Sequence, residues 1–179
     1  MIAAFERRVR ERPDDPAIVT KDKTLNYRAL DAMAEAVAVT LNMSANGEVL
    51  RPVGVSVRNG ADSLAALLGV AKRGRIYMPL DPDSPPARLA AIAENSGMDT
   101  LLTDSDSASA LRERLETGVR VVAVEGIFPH DAKTVEPRAG TASVLTEANV
   151  PEFIIYTSRS EEHTSELQSL AYLVCRLLL

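Results

Sequence analysis

Between residues 52 and 124 four short β-forming runs alternate with three stretches of helical period. The runs are PVGVSV at 52–57, IYMPL at 76–80, TLLT at 100–103 and RVVAV at 120–124. Valine, isoleucine, threonine and tyrosine favour a pleated backbone, and runs this apolar suit strands covered on both faces. After the first run, Leu64, Leu67, Leu68, Val70 and Ala71 recur at the spacing of one helix face. Strands that return in the same direction need a helix-length crossover. The alternation therefore predicts an α/β fold of repeated βα units around a mostly parallel sheet.

Punctuation sharpens this reading. Gly74 and Gly97 are expected to end the first and second of these helices, and Asp81 to Pro86 to supply a turn, with Ser84 as N-cap and a proline at the first helical position. The third helix starts at Ser105-Asp106-Ser107 and runs to Leu115. Upstream, residues 3–12 form a short helix ended by Pro13, with Ile2, Ala4, Phe5 and Val9 along one side. Residues 17–20 and 24–25 flank a polar connection and suggest a hairpin. Asn26 then caps a helix whose Leu30, Met33, Ala34, Val37, Ala38 and Leu41 share a face. From Glu125 to Ala148 the pattern dissolves into a loop, and EFIIYTS at 152–158 resumes the sheet as a buried strand that closes on hydroxyls. There is no internal repeat and no low-complexity tract.

With 46% hydrophobic and 25% charged residues the composition is that of a globular chain. A net charge of -5 excludes the electrostatic footprint of a nucleic-acid binder. The N-terminus lacks the apolar core of a signal peptide, and no apolar run approaches the roughly 18 residues of a membrane span. A cytoplasmic protein without a membrane partner is expected. Cys175 is the single cysteine, so neither a disulfide framework nor a thiolate metal site is available.

Three stretches, in order, carry a family resemblance. LNYRAL at 25–30 is similar to the motif L-T/S-Y-x-E-L, AKRGRIYMPLDP at 71–82 to K-A-G-A-A-Y-x-P-L-D-P, and IIYTS at 154–158 to the start of Y-T-S-G-S-T-G-x-P-K-G. Together with NSG and LLTD between Asn95 and Asp104 they resemble the acyl-adenylate-forming enzymes, in particular the amino-acid adenylation domains of nonribosomal peptide synthetases. The resemblance runs from about Phe5 to Ser158. It implies the N-terminal part of that family's large subdomain, incomplete as it stands. Departures are visible: Ala29 replaces a glutamate, leaving Asn26 without a reciprocal capping box. Arg73 and Arg75 flank Gly74 where small residues are usual. Burying their guanidinium groups is costly unless the heads reach solvent, which points to a divergent or locally looser segment.

The resemblance implies a whole enzyme that joins an amino-acid carboxylate to ATP with Mg²⁺, releases pyrophosphate, and passes the acyl group to the phosphopantetheine thiol of a carrier protein. Thr157 and Ser158 are the positions that inherit contact with the ATP phosphates, and no catalytic residue or metal-ligand set is carried over. The next residues along the chain are RSEEHTSELQS, with three glutamates and no glycine. A phosphate cradle needs closely spaced glycines to turn backbone N–H groups inward, and acids there repel phosphate. Written back into codons, residues 159–169 resemble a common sequencing-library adapter read in frame. Residues 173–179 resemble its far arm. The division expected is therefore 1–158, an N-terminal portion of an adenylation domain, and 159–179, a non-native tail, with no cofactor bound by the fragment. A fragment of an acyl-CoA or fatty-acyl-AMP ligase and a non-catalytic α/β binding module remain the alternatives. Asp81 is read as a turn residue, and Asp99, Asp104 and Asp106 as strand and helix termini. His130 is read as a solvated loop residue, and Glu161, Glu162 and His163 as part of the tail.

Overall fold

The computed structural model describes residues 2–20, 24–41, 51–58, 60–115, 118–128 and 153–156. The repeated βα units are present as expected. After helix α1 (Ile2–Glu11), strands β1 (Pro16–Val19) and β2 (Thr24–Asn26) pair antiparallel, and α2 spans Tyr27–Thr40. Then come β3 (Val53–Ser56), α3 (Gly60–Lys72), β4 (Tyr77–Pro79), α4 (Pro86–Ser96), β5 (Thr100–Thr103), α5 (Ser105–Arg114) and β6 (Arg120–Ala123), closed by a 3₁₀ turn at Val124–Gly126. The four later strands make one all-parallel sheet in the order β4-β3-β5-β6.

Both faces of this sheet are covered, which is why its strands read as continuous apolar runs. Val53 and Val55 of β3, Tyr77 of β4 and Leu102 of β5 point to one side, where they meet Ala66 and Val70 of α3. Met78, Leu101 and Val121 point to the other, against Leu89 and Ile92 of α4 and Ala108 and Leu111 of α5. Behind α3 a third cluster joins Ala65 and Leu68 to Leu30, Met33 and Ala34 of α2, with Ile2, Phe5, Ile18 and Leu25 at its margin. The N-terminal helix and hairpin thus seal the outer face of the α2–α3 pair.

The helix ends follow the expected chemistry with one shift. Asn26 Oδ1 accepts the Ala29 N–H at 2.8 Å, half of a capping box, as the sequence implies. Gly74 takes φ 62°. The Gly74 N–H donates to the Ala71 carbonyl at 2.9 Å and the Arg75 N–H to Val70 at 3.1 Å, a Schellman closure of α3. Gly97 ends α4 at φ 65°. At the start of α4, however, the N-cap is Pro85 rather than Ser84, with Pro86 at the first helical position. Asp81 holds the turn through its side chain, accepting the Asp83 N–H at 3.0 Å. The Asp81 carbonyl takes the Ser84 N–H at 3.0 Å, so Ser84 belongs to the turn and helical geometry begins one residue later.

Arg73 and Arg75 correct another expectation, since neither loosens the fold. Arg75 is a tie: its Nε donates to the Arg51 carbonyl at 2.8 Å, and its Nη2 meets Asp99 Oδ1 at 2.6 Å. That side chain is only 10% exposed, so it links the approaches to β3 and β5 instead of reaching into solvent. Arg73 Nε donates to the Ala38 carbonyl near the C-terminus of α2. Unsatisfied carbonyls at a helix end favour such a donor.

Candidate active site

In open parallel sheets, ligands collect beyond the carboxyl ends of the strands, where outgoing chains part to opposite faces. Here β3 leads to α3 on one face and β5 to α5 on the other, so the parting lies between β3 and β5. Its mouth is already occupied by the chain itself. The Arg58 N–H donates to Asp104 Oδ2 at 3.1 Å, and its guanidinium reaches Asp83 Oδ1 at 2.9 Å. Hydrogen bonding to Asp83 holds the exposed Arg58 guanidinium above its ordinary range. Beside it, the Ser105 N–H and hydroxyl both donate to Glu125 Oε2 at 2.9 Å.

The segment that carries the third motif enters on the far side of β4. Phe153 pairs in parallel with Tyr77, and the Ile154 N–H donates to the Tyr77 carbonyl at 3.0 Å. The segment therefore runs in the direction of the other strands and leaves the sheet at the same carboxyl edge. Ile154 and Tyr156 pack on the α4–α5 side, and Phe153 on the α3 side. This alternation is that of a strand. Thr157 and Ser158, the two positions expected to meet the ATP phosphates, lie just past Tyr156 and outside the described residues. His130 and residues 159–179 lie outside them too.

Among the described residues no group of three or more His, Cys, Asp or Glu side chains could hold a metal ion. The acids at the carboxyl edge are committed elsewhere: Asp83 and Asp104 to Arg58, and Glu125 to Ser105. Asp99 pairs with Arg75 at the opposite edge. Asp104 is the N-cap residue of α5 and Asp99 directly precedes β5, the terminal positions at which the sequence reading set them. No helix among the described residues is long and apolar enough to cross a membrane.

A parallel sheet with helices on both faces, receiving Phe153–Tyr156 beside β4, is the setting in which the three motifs were expected. A family model described as AMP-binding enzyme matches residues 5–161. The chain belongs to the AMP-binding enzyme family. This family member is 34% identical over 160 residues to a linear gramicidin synthase of Brevibacillus parabrevis, covering 88% of its own length and 2% of that protein. Against surfactin synthase subunit 3 of Bacillus subtilis (strain 168) it is 29% identical over 154 residues, which is 86% of its length and 12% of the relative's. Among solved structures, the AMPPNP-bound form of the nonribosomal peptide synthetase FmoA3 aligns with a TM-score of 0.71 and 28% identity, over 88% of this chain and 16% of that one. The chain therefore spans a small part of the relatives it matches. Its homologues include nonribosomal peptide synthetases, and its fold is that of adenylate-forming enzymes.

Some features of the site were not legible in the sequence. The motif lysine Lys72 is buried and paired with Asp31 and Glu35 of α2, at 2.9 Å for Asp31. Arg58 closes the β3–β5 mouth with acids 25 and 46 positions away. A helical i, i+4 pattern does mark Asp31 and Glu35 as neighbours on α2. Nothing in the spacing tells that they face α3.

Proposed function

We propose that residues 1–158 are the N-terminal portion of an amino-acid adenylation domain of a nonribosomal peptide synthetase, and that the 179-residue chain does not itself form an adenylate. In the parent enzyme a carboxylate oxygen of the amino acid attacks the α-phosphorus of ATP and pyrophosphate leaves. The acyl group then moves to a carrier-protein phosphopantetheine thiol, and AMP leaves. Mg²⁺ supplies charge neutralisation of the phosphates in that reaction.

The observation that carries this reading is the placement of Phe153–Tyr156. Phe153–Tyr156 runs parallel to β4 toward the carboxyl edge, which supports the reading that the motif continued in sequence by Thr157 and Ser158 is a phosphate-binding one. The chain then continues as RSEEHTSELQS. Without glycines the backbone N–H groups lack a route to wrap a polyphosphate, and three carboxylates oppose it electrostatically. Since most of the rate enhancement in such transfers comes from preorganised donors around developing charge, a chain without them loses its main transition-state stabiliser. Residues 159–179 are proposed to be foreign to the domain.

Two measurements test the reading. Amino-acid-dependent exchange of labelled pyrophosphate into ATP should be indistinguishable from a no-enzyme control across a panel of the common amino acids, and clear turnover would overturn the inactivity. Long-read sequencing of the source DNA should continue from the Ser158 codon into a glycine-punctuated, hydroxyl-rich loop ending in lysine. Genomic DNA that encodes RSEEHTSELQS at this point would instead favour a self-contained binding module.

A further inference from the structure

Tyr77 belongs to the second motif, yet nothing in the proposed chemistry uses it. It meets the segment of the third motif in three ways. Its backbone bridges Phe153, its carbonyl accepts the Ile154 N–H at 3.0 Å, and its ring lies edge-to-face on Phe153 with centroids 5.6 Å apart and planes at 74°. Among the described residues the backbone attachment of 153–156 to the sheet is that one isolated bridge. A single bridge defines register poorly, and a slip of one residue would turn Ile154 and Tyr156 away from the α4–α5 core and Phe153 away from the α3 side. The aromatic pair adds to this burial pattern in favouring the observed register.

Tyr77 is itself well held. Its side chain lies in the cluster formed by Val53, Val55, Ala66 and Val70. Burial raises the phenol above its ordinary range, so the ring stays neutral. The outer part of the segment is less secure, with Ile155 42% exposed. Rigid sheet, fixed tyrosine and lightly attached strand form a chain of support that ends at the residues meant for phosphate.

We propose that Tyr77 is a positioning residue that sets the register of Phe153–Tyr156, the segment that leads in sequence to Thr157 and Ser158. The consequence for ATP rests on the functional reading above, whereas the positioning itself does not. Amide hydrogen exchange on the full 179-residue chain tests it with Tyr77→Phe, Tyr77→Leu, Phe153→Leu and the double Leu variant. Tyr77→Phe keeps the ring and should leave protection at Ile154 as in the parent. Tyr77→Leu and Phe153→Leu should each speed Ile154 exchange about fivefold, the scale of a lost aromatic pair. The double variant should be no faster than either single change. Phe153→Leu sits at the sheet edge and should leave β3 and β5 protected, which keeps the test sound if Tyr77→Leu fails to fold. The proposal is overturned if Phe153→Leu leaves Ile154 unchanged, if the two Leu effects simply multiply, or if Tyr77→Phe loosens the strand as much as Tyr77→Leu. Exchange reads strand attachment rather than ATP chemistry, so unexpected pyrophosphate turnover would sink the functional reading and leave this result standing.

Discussion

Lys72 shows how a single side chain ties two helices together. It is 3% exposed, and its ammonium lies 2.9 Å from Asp31 Oδ1 and also contacts Glu35. Burial pushes the lysine toward the neutral form, but the hydrogen bonds it donates to Glu35 and Asp31 outweigh this and the net shift is upward. Removing the cation leaves two carboxylates facing each other in a part-buried site. Lys72→Met should therefore cost about 3 kcal/mol at neutral pH, read as a lower urea midpoint. The sign of the pH effect follows from the same shift. A raised lysine contributes stability that is complete below its unfolded value of about 10.4 and is lost as pH rises through the folded value. Tyr77, raised by burial, adds a fall of the same sign above about pH 10. Urea titrations at increasing alkaline pH should show a steep decline in the parent and a shallower one in Lys72→Met, which retains the Tyr77 part. Equal slopes would show that the ion triad does not carry this dependence.

Among the elements, α2 and α3 are packed closely enough that one of them needs a glycine. A Cβ built on Gly69 would lie 2.5 Å from Val37 Cβ and 2.6 Å from the Ala34 carbonyl oxygen, neither of which is the flexible end of a side chain. Gly69→Ala gains about 1 kcal/mol of helix propensity but forces the helices apart, at a cost of roughly 1–3 kcal/mol for overpacking. The expected net result is a lower melting temperature. Gly60→Ala, with nothing within 4 Å of its Cβ, should melt at or slightly above the parent. If Gly69→Ala were the more stable of the two, the close crossing would be wrong. The sequence made most of these elements legible, because period and capping are local: the four parallel strands, Asn26, Gly74 and Gly97 stand where their chemistry predicts. Features that depend on a distant partner were not legible. Ser84 was displaced as cap because Asp81 drew it into the preceding turn. Arg75 is held in a segment expected to be either divergent or loose, because Asp99 and the Arg51 carbonyl are brought to it by strands. Thr157 and Ser158 rest on the motif alone and lie outside the described residues, while the place of Tyr77 opposite Phe153 required the register of β4.

At the scale of the molecule, the three apolar clusters draw on residues from Ile2 to Tyr156 and enclose both sheet faces together with the α2–α3 layer. This is a core whose parts support one another, as expected of a sequence selected for its fold. Residues 159–179 have the opposite character on the reading proposed above: LAYLVCRLLL is apolar without a complementary surface that evolved beside it, and RSEEHTSELQS is polar where the family places a glycine loop. A chain ending at Ser158 should consequently unfold in urea with the same midpoint and the same cooperativity as the full chain, and should be at least as soluble. The comparison needs both midpoint and slope, since the slope follows the surface exposed on unfolding and would fall if the tail had been buried. A lower midpoint together with a smaller slope in the shortened chain would show that residues 159–179 pack on the sheet, and the boundary at Ser158 would have to be given up. Equal values for both would leave the Phe153–Tyr156 strand as the last element that this sheet requires.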